Sequence, residues 1–427
     1  TPGTIVVNPL PVITVSNATI CNGQSATLTS TTSIQGGTYL WSNNATTANI
    51  TVSPASTTTY TLVYTAPTGC QNAPITGTVT VNPVPTVSIV DDTICNGSTG
   101  TLVATPSFPG GTFLWTPGNQ TTQNLSVSPN STTTYTLVYT SGVNCSSLPV
   151  SGTITVNPIP VLATTLAQPN ICSGDAVSIG MNSNVPGSVI SWTNAESQVT
   201  GSTSGSGTSI NDVITSLSTA TGNVTYTIIS QANNCNSLPQ NVSVTVYPIP
   251  NITLLNDTIC QGNQATLNAI PDVQGGTFIW SYNALTTQSI NLSPNQTTSY
   301  NVLYDYNGCI NTASASIVVN VVPTVTLNSG NICFGDSLAL TANPSIPGGT
   351  FNWSPGGIGP QSIMVTPNSS TSISVDYTLN NCTSQLATSN IVVTQLPVLV
   401  MDDTTICQGQ VATMTAIPSQ PGGIFTW

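Results

Sequence analysis

The residues in this chain most able to do chemistry are eleven cysteines: Cys21, Cys70, Cys95, Cys145, Cys172, Cys235, Cys260, Cys309, Cys333, Cys382 and Cys407. There is no Lys, Arg or His to activate a thiolate or to act as a base, so chemistry built on His or on a Lys Schiff base is impossible. A zinc site made of thiolates alone takes close-spaced pairs, and no Cys-x-x-Cys occurs. The regular spacing reads instead as structural disulfides, which belong to an oxidising, exported compartment. The other ionisable groups of note are twelve carboxylates, of which Glu196 is the single Glu. A glycosidase needs two carboxylates across a cleft, and here the Asp residues mostly recur as repeat features. No catalytic residue and no cofactor is therefore expected.

The net charge is −12, and charged residues make up 3% of the chain, against about 25% in an ordinary domain. Without cations there is no counterion release on nucleic acid and no Walker-type lysine, so both classes of ligand are excluded. Salt bridges cannot contribute to stability either. Asp91/Asp92 and Asp402/Asp403 are paired carboxylates near expected domain junctions. They read first as solvated turns and second as a Ca²⁺ site stiffening a junction. Apolar stretches such as Ile317 to Val322 are strand-sized, well short of the ~20 residues of a membrane span, so no membrane insertion is expected.

The elements that hold the cysteines repeat. The first Cys of each pair is followed 20 positions later by Trp: Trp41, Trp115, Trp192, Trp280, Trp353 and Trp427. Such a fixed period marks a repeat array. Each unit reads Ile-Cys-x-Gly-x-x-x-x-Leu, then Gly-Gly-Thr-x-x-Trp, then Thr-Thr-x-Tyr, then a second Cys and Val-Asn-Pro-x-Pro. Boundary prolines give units at 11–84, 85–159, 160–249, 250–322 and 323–396. Residues 1–10 match the last strand of a preceding unit, and 397–427 match the start of a sixth. The expectation is a parent protein that continues both ways. The long third unit carries a Gly/Ser insertion near Gly201 to Gly207, expected to be a flexible loop.

Thr- and Val-rich runs alternating with period two, punctuated by Gly, Pro and Asn, predict an all-β chain of antiparallel sandwiches. In the first unit the strands are expected at 12–16, 25–30, 38–42, 48–53, 58–65 and 76–82, with a short extra one near 43–47. All six Trp are expected to be core residues. Linkers as short as Val-Asn-Pro-Val-Pro leave little slack, so the array is expected to be an extended rod.

The pattern resembles an immunoglobulin-like domain. By that resemblance Trp41 is the buried Trp of strand C. Tyr60, Tyr135, Tyr226 and Tyr300 take the place of the corner tyrosine, with Ile373 replacing it in the fifth unit. Leu28 and Leu62 stand where antibody domains carry their core disulfide, and the cysteines lie in turns instead. Two pairings stay open. One joins cysteines within a unit, as Cys21–Cys70, but immunoglobulin topology sets those two at opposite poles, beyond the ~7 Å Cα separation a disulfide allows. The other staples neighbours: Cys21–Cys145, Cys95–Cys235, Cys172–Cys309 and Cys260–Cys382, leaving Cys70, Cys333 and Cys407 with partners elsewhere.

The same motifs resemble the tandem Ig-like/PKD-like repeats of giant Bacteroidetes cell-surface adhesins, such as the SprB-like gliding-motility type exported by type IX secretion. The resemblance implies an extracellular stalk whose contacts are neighbouring repeats and the cell-surface secretion and motility machinery. A surface or polysaccharide ligand would be bound through other regions of the protein. It also implies O-glycosylation after Asp, at Thr93, Thr258, Ser337 and Thr404. Two rival readings are a subunit of an extracellular filament or sheath and a binding-module array attached to a secreted enzyme.

Overall fold

Alternation of Thr with Val, Leu, Ile and Tyr makes strands, because β-branched and aromatic side chains fit a pleated, half-buried surface. The computed structural model describes residues 3–427, and these contain strands but no helix. The first unit has β1 (Ile13–Val15), β2 (Ala18–Cys21), β3 (Ala26–Leu28), β4 (Ser30–Thr32), β5 (Thr38–Trp41), β6 (Ile50–Val52), β7 (Thr58–Thr65) and β8 (Ile75–Asn82). One sheet runs β2-β8-β7-β5; facing it, β1 pairs β4 and β3 pairs β6. The second unit repeats this with β9 (Val87–Val90), β10 (Asp92–Cys95), β11 (Gly100–Pro106), β12 (Thr112–Thr116), β13 (Asn124–Val127), β14 (Thr133–Thr140) and β15 (Val150–Asn157). Its sheets are β10-β15-β14-β12 and β13-β11-β9. This is an immunoglobulin-like sandwich, and the chain is a tandem array of them.

Five cores form, within Ile13 to Val79, Val87 to Ile154, Ile171 to Val246, Ile252 to Ile317 and Val325 to Val393. Trp41, Trp115, Trp192, Trp280 and Trp353 are buried in them. Each indole N–H donates to a loop carbonyl, as Trp41 does to Thr47 at 2.9 Å and Trp115 to Thr122 at 3.0 Å. A buried Trp thereby keeps its polar end paired. Leu28 and Leu62 are fully buried in one core.

Several expectations change. Strand β2 is unforeseen. After β1 the chain crosses to the other sheet, and Ala18–Cys21 pairs in parallel with β8, Cys21 opposite Asn82. The first Cys of each of the five units thus both ends a strand and opens the turn that follows. Residues 43–47 form no strand: Asn44 and Ala45 turn back onto the backbone of Trp41. Residues 3–10 form no strand either, since no neighbouring strand offers them hydrogen bonds, and Thr1 and Pro2 lie outside the described residues. Trp427 is 80% exposed.

A tyrosine other than the expected corner residue also holds the sandwich together. The hydroxyl that latches the sandwich belongs to Tyr64, four residues beyond Tyr60. It donates to the Ile34 carbonyl at 2.6 Å and accepts the Gly37 N–H at 2.7 Å. Tyr139, Tyr304 and Tyr377 repeat the latch, so the fifth unit has one despite Ile373. A Cβ on Gly37 would collide with the Tyr64 ring and the Thr65 carbonyl, which explains the second glycine of the Gly-Gly pair. The third unit has Ser230 opposite Ile190, where the others carry the latch Tyr. Its Gly/Ser insertion is pinned, not loose. Gly205–Ser206 pairs with Ser191 and Trp192, and Val199–Thr200 pairs with Thr215–Ser216.

Candidate functional site

Each junction brings together two turns with fixed stereochemistry. At one pole, the Cys that ends the short parallel strand starts a four-residue turn, closed by Gln24 N–H to the Cys21 carbonyl and by Ser98 N–H to that of Cys95. The third residue is Gly, with φ of 90° at Gly23 and 84° at Gly97, a conformation a type II turn demands. A side chain caps the turn in several units: Gln24, Asp175 and Asp336 accept the N–H of Cys21, Cys172 and Cys333. At the other pole, the turn before the second Cys is built from left-handed residues. Asn233 and Asn234, Asn307 and Gly308, and Asn380 and Asn381 all have positive φ, as a two-residue hairpin turn requires.

The next unit's hairpin turn meets the preceding unit's cysteine turn, and a disulfide joins them. The bridges are Cys21–Cys145, Cys95–Cys235, Cys172–Cys309 and Cys260–Cys382, with Cα separations of 5.5–5.6 Å. Hydrogen bonds flank them. The Asn of Val-Asn-Pro donates to the following turn, Asn157 to the Asn233 carbonyl at 3.4 Å and Asn320 to that of Asn380 at 3.3 Å. Between the third and fourth units Tyr247 replaces this Asn and packs edge-on against Tyr306, 5.8 Å between ring centroids. Cys70 is half-buried and unpaired among the described residues, with Sγ 3.9 Å from the Asn8 carbonyl. Bridged Cys382 lies against Asn320 at 4.0 Å in the same way. Cys333 and Cys407 are exposed and unpaired among the described residues.

The carboxylates at the second unit's strand crossing hold backbone. Asp91 accepts the Thr153 N–H at 2.7 Å, and Asp92 accepts those of Thr93 and Thr101, both at 2.8 Å. Asn17 and Asn256 take the role of Asp91 in their own units, bonding Thr78 and Ser316. A neutral amide does the same work, so these bonds call for no cation. Asp402 and Asp403 lie in exposed, strandless chain. Among the described residues no three carboxylates or thiols gather as metal ligands. Thr93, Thr258, Ser337 and Thr404 are all exposed. Thr93 and Thr258 stand on the short parallel strands beside Asp92 and Asp257, whereas Ser337 follows the capping Asp336 on the far side of its cysteine.

One carboxylate cluster was not legible in the sequence. In the third unit Asp212 accepts the Tyr226 hydroxyl at 2.8 Å and both the N–H and hydroxyl of Thr203. Glu196 accepts the N–H and hydroxyl of Ser202, each at 2.7 Å. Burial first, then the hydrogen bond to Asp212 and the charges of Asp212 and Glu196, push the Tyr226 phenol far above its usual range. The phenol stays protonated and ties the insertion to the core. With its hydroxyl already donated to Asp212 and Asp212 taken by Thr203, the cluster serves as a clamp.

A family model described as a PKD-like domain matches residues 169–250, most of the third unit and the first residue of the fourth. No curated protein matches the chain. Similar solved structures include the N-terminal eight Ig domains of Down Syndrome Cell Adhesion Molecule, 13% identical, with a TM-score of 0.31. That match covers 97% of this chain, which spans 65% of that chain's length. A three-Ig structure of titin is 14% identical, covering 55% of this chain and 98% of that one, with a TM-score of 0.36. The fold assignment stands on the strand order above, not on these likenesses.

Proposed function

We propose that this chain is a stalk region of a giant secreted cell-surface adhesin, a non-enzymatic spacer that holds binding regions of the protein away from the cell. The observation that carries the reading is the staple at all four junctions between the five sandwiches: a disulfide between units restrains their hinge. Four disulfides also suit an oxidising, extracellular setting. No helix of the described residues is long and apolar enough to cross a membrane. The resemblance to Bacteroidetes gliding adhesins supports a finer version, in which the stalk transmits force from a surface motor during attachment and gliding. In that version Thr93, Thr258, Ser337 and Thr404 carry O-glycans, and their exposure supports it.

The test is an in-frame deletion of 11–396 in the source cells, with antibody labelling of unpermeabilised wild-type cells. Surface labelling and a loss of attachment in the deletion strain are expected. Label that appears only after lysis sinks the surface reading, and unchanged attachment sinks the adhesive one. Intact mass of the native protein, equal to that of the bare sequence, would remove the glycans.

A further inference from the structure

We infer that the four bridges turn the array into a double covalent tether, in which the inner strands of the three interior units bear no load. Two covalent tracks run through the array. One track leaves the first unit at Cys21, crosses to Cys145, runs along β15 and over the junction to Cys172, and crosses to Cys309. The other follows the backbone to Cys95, crosses to Cys235, runs over the next junction to Cys260, and crosses to Cys382. From Cys21 to Cys382 the two tracks share no residue between their ends. Residues 96–144, 173–234 and 261–308 lie on neither track. They contain Trp115, Trp192 and Trp280 and most of the strands that build those cores. What remains on the tracks within the interior units is the short parallel strand and the last strand it pairs with, as β10 with β15, and the first strand, as β9, whose antiparallel partner β11 lies off the tracks.

Tension on such a chain has little slack to take up. The bridges short-circuit 124, 140, 137 and 122 residues of backbone. These loops overlap, so together they cut the path from Cys21 to Cys382 from 361 residues of backbone to about 100 on either track, which at roughly 3.3–3.6 Å per extended residue withholds about 900 Å of extension. An interior core that opens under load therefore neither lengthens the stalk nor breaks its continuity, and it refolds with its two ends held in place. The device follows from the bridge order alone and does not depend on the adhesive reading. A free-standing protein of the same connectivity would behave likewise.

Single-molecule pulling on the oxidised chain tests it, with handles on residues before Cys21 and after Cys382. Reduced protein should show five long unfolding steps, each roughly 200–280 Å for units of this length. Oxidised protein should lose the three steps of the interior units, and the first and fifth units, shunted by Cys21–Cys145 and Cys260–Cys382, should give no independent long step either. Five long steps from oxidised protein overturn the proposal. A second test uses the lack of Lys and Arg, which lets one substitution create a single trypsin site. In Ala167→Lys the cut falls between Cys145 and Cys172, on one track. With cleavage complete, as read after reduction, the non-reduced product should keep the mass of the whole chain plus one water. Release of a piece without reductant overturns the tether.

Discussion

Tyr139 carries two jobs on one oxygen: it donates to the Phe108 carbonyl at 2.6 Å and accepts the Gly111 N–H at 2.9 Å, inside a ring packed against Phe113. Tyr139→Phe keeps the ring and leaves both backbone groups without that partner, at about 1–3 kcal/mol. Faster hydrogen exchange confined to the second unit is the expected reading, and unchanged exchange would count against the latch. Tyr226 makes a second residue-scale case through pH. Its phenol is raised in the folded state and titrates near 10 when unfolded. The folded state therefore holds the proton that the unfolded state releases, and stability falls as pH rises above ~10. By pH 11 the loss is about 1 kcal/mol. Tyr226→Phe removes that slope, so the gap between mutant and wild type in urea midpoints should narrow from pH 8 to 11. A constant gap contradicts the assignment. Neither role was readable beforehand: Tyr60 and Tyr64 lie on the same strand face, and only the position of the Gly-Gly loop decides which hydroxyl reaches it.

At the scale of elements, the long strands were legible because they alternate over enough residues to show a period. In Thr133–Thr140, Tyr135, Leu137 and Tyr139 point inward. The four-residue strand Asp92–Cys95 buries only Ile94 and shows no such period. Its existence follows from the crossing between sheets, which is a tertiary fact. The Gly-Gly turns tie element to element in a way that can be ranked. Gly110 has φ of 85° and open space, so Gly110→Ala costs mainly backbone strain, about 1 kcal/mol. A Cβ on Gly111 meets the Thr140 carbonyl and the Tyr139 ring, so Gly111→Ala adds overpacking of roughly 1–3 kcal/mol against a rigid partner. Comparing the two variants by urea unfolding followed through exchange in β12 and β14 should place Gly111→Ala as the weaker fold. The reverse order would mean that this loop yields more easily than the packing implies.

Across the whole molecule, cores and staples are separate systems. Each of the five cores draws its residues from one unit, and each of the four bridges joins two units. This division was partly visible in the spacing: two cysteines per unit demanded bridges, and the distance between the sandwich poles spoke against closing them within a unit. What the spacing could not show is the asparagine turns that offer the second Cys to its neighbour, or the Asn157 and Asn320 contacts beside them. The separation has a testable consequence. Reduction removes constraints between units and none within a core, where apolar packing and the Trp and Tyr hydrogen bonds stay in place. A chain carrying Cys→Ser at all eight bridged positions should keep its near-ultraviolet circular dichroism, because the buried Trp and Tyr stay packed. Its small-angle scattering should change toward a more flexible ensemble, as four restrained hinges become free linkers of a few residues. Loss of the aromatic signal on removing the bridges would show that the sandwiches lean on one another for their cores, and that the staples hold up the fold as well as the alignment of its units.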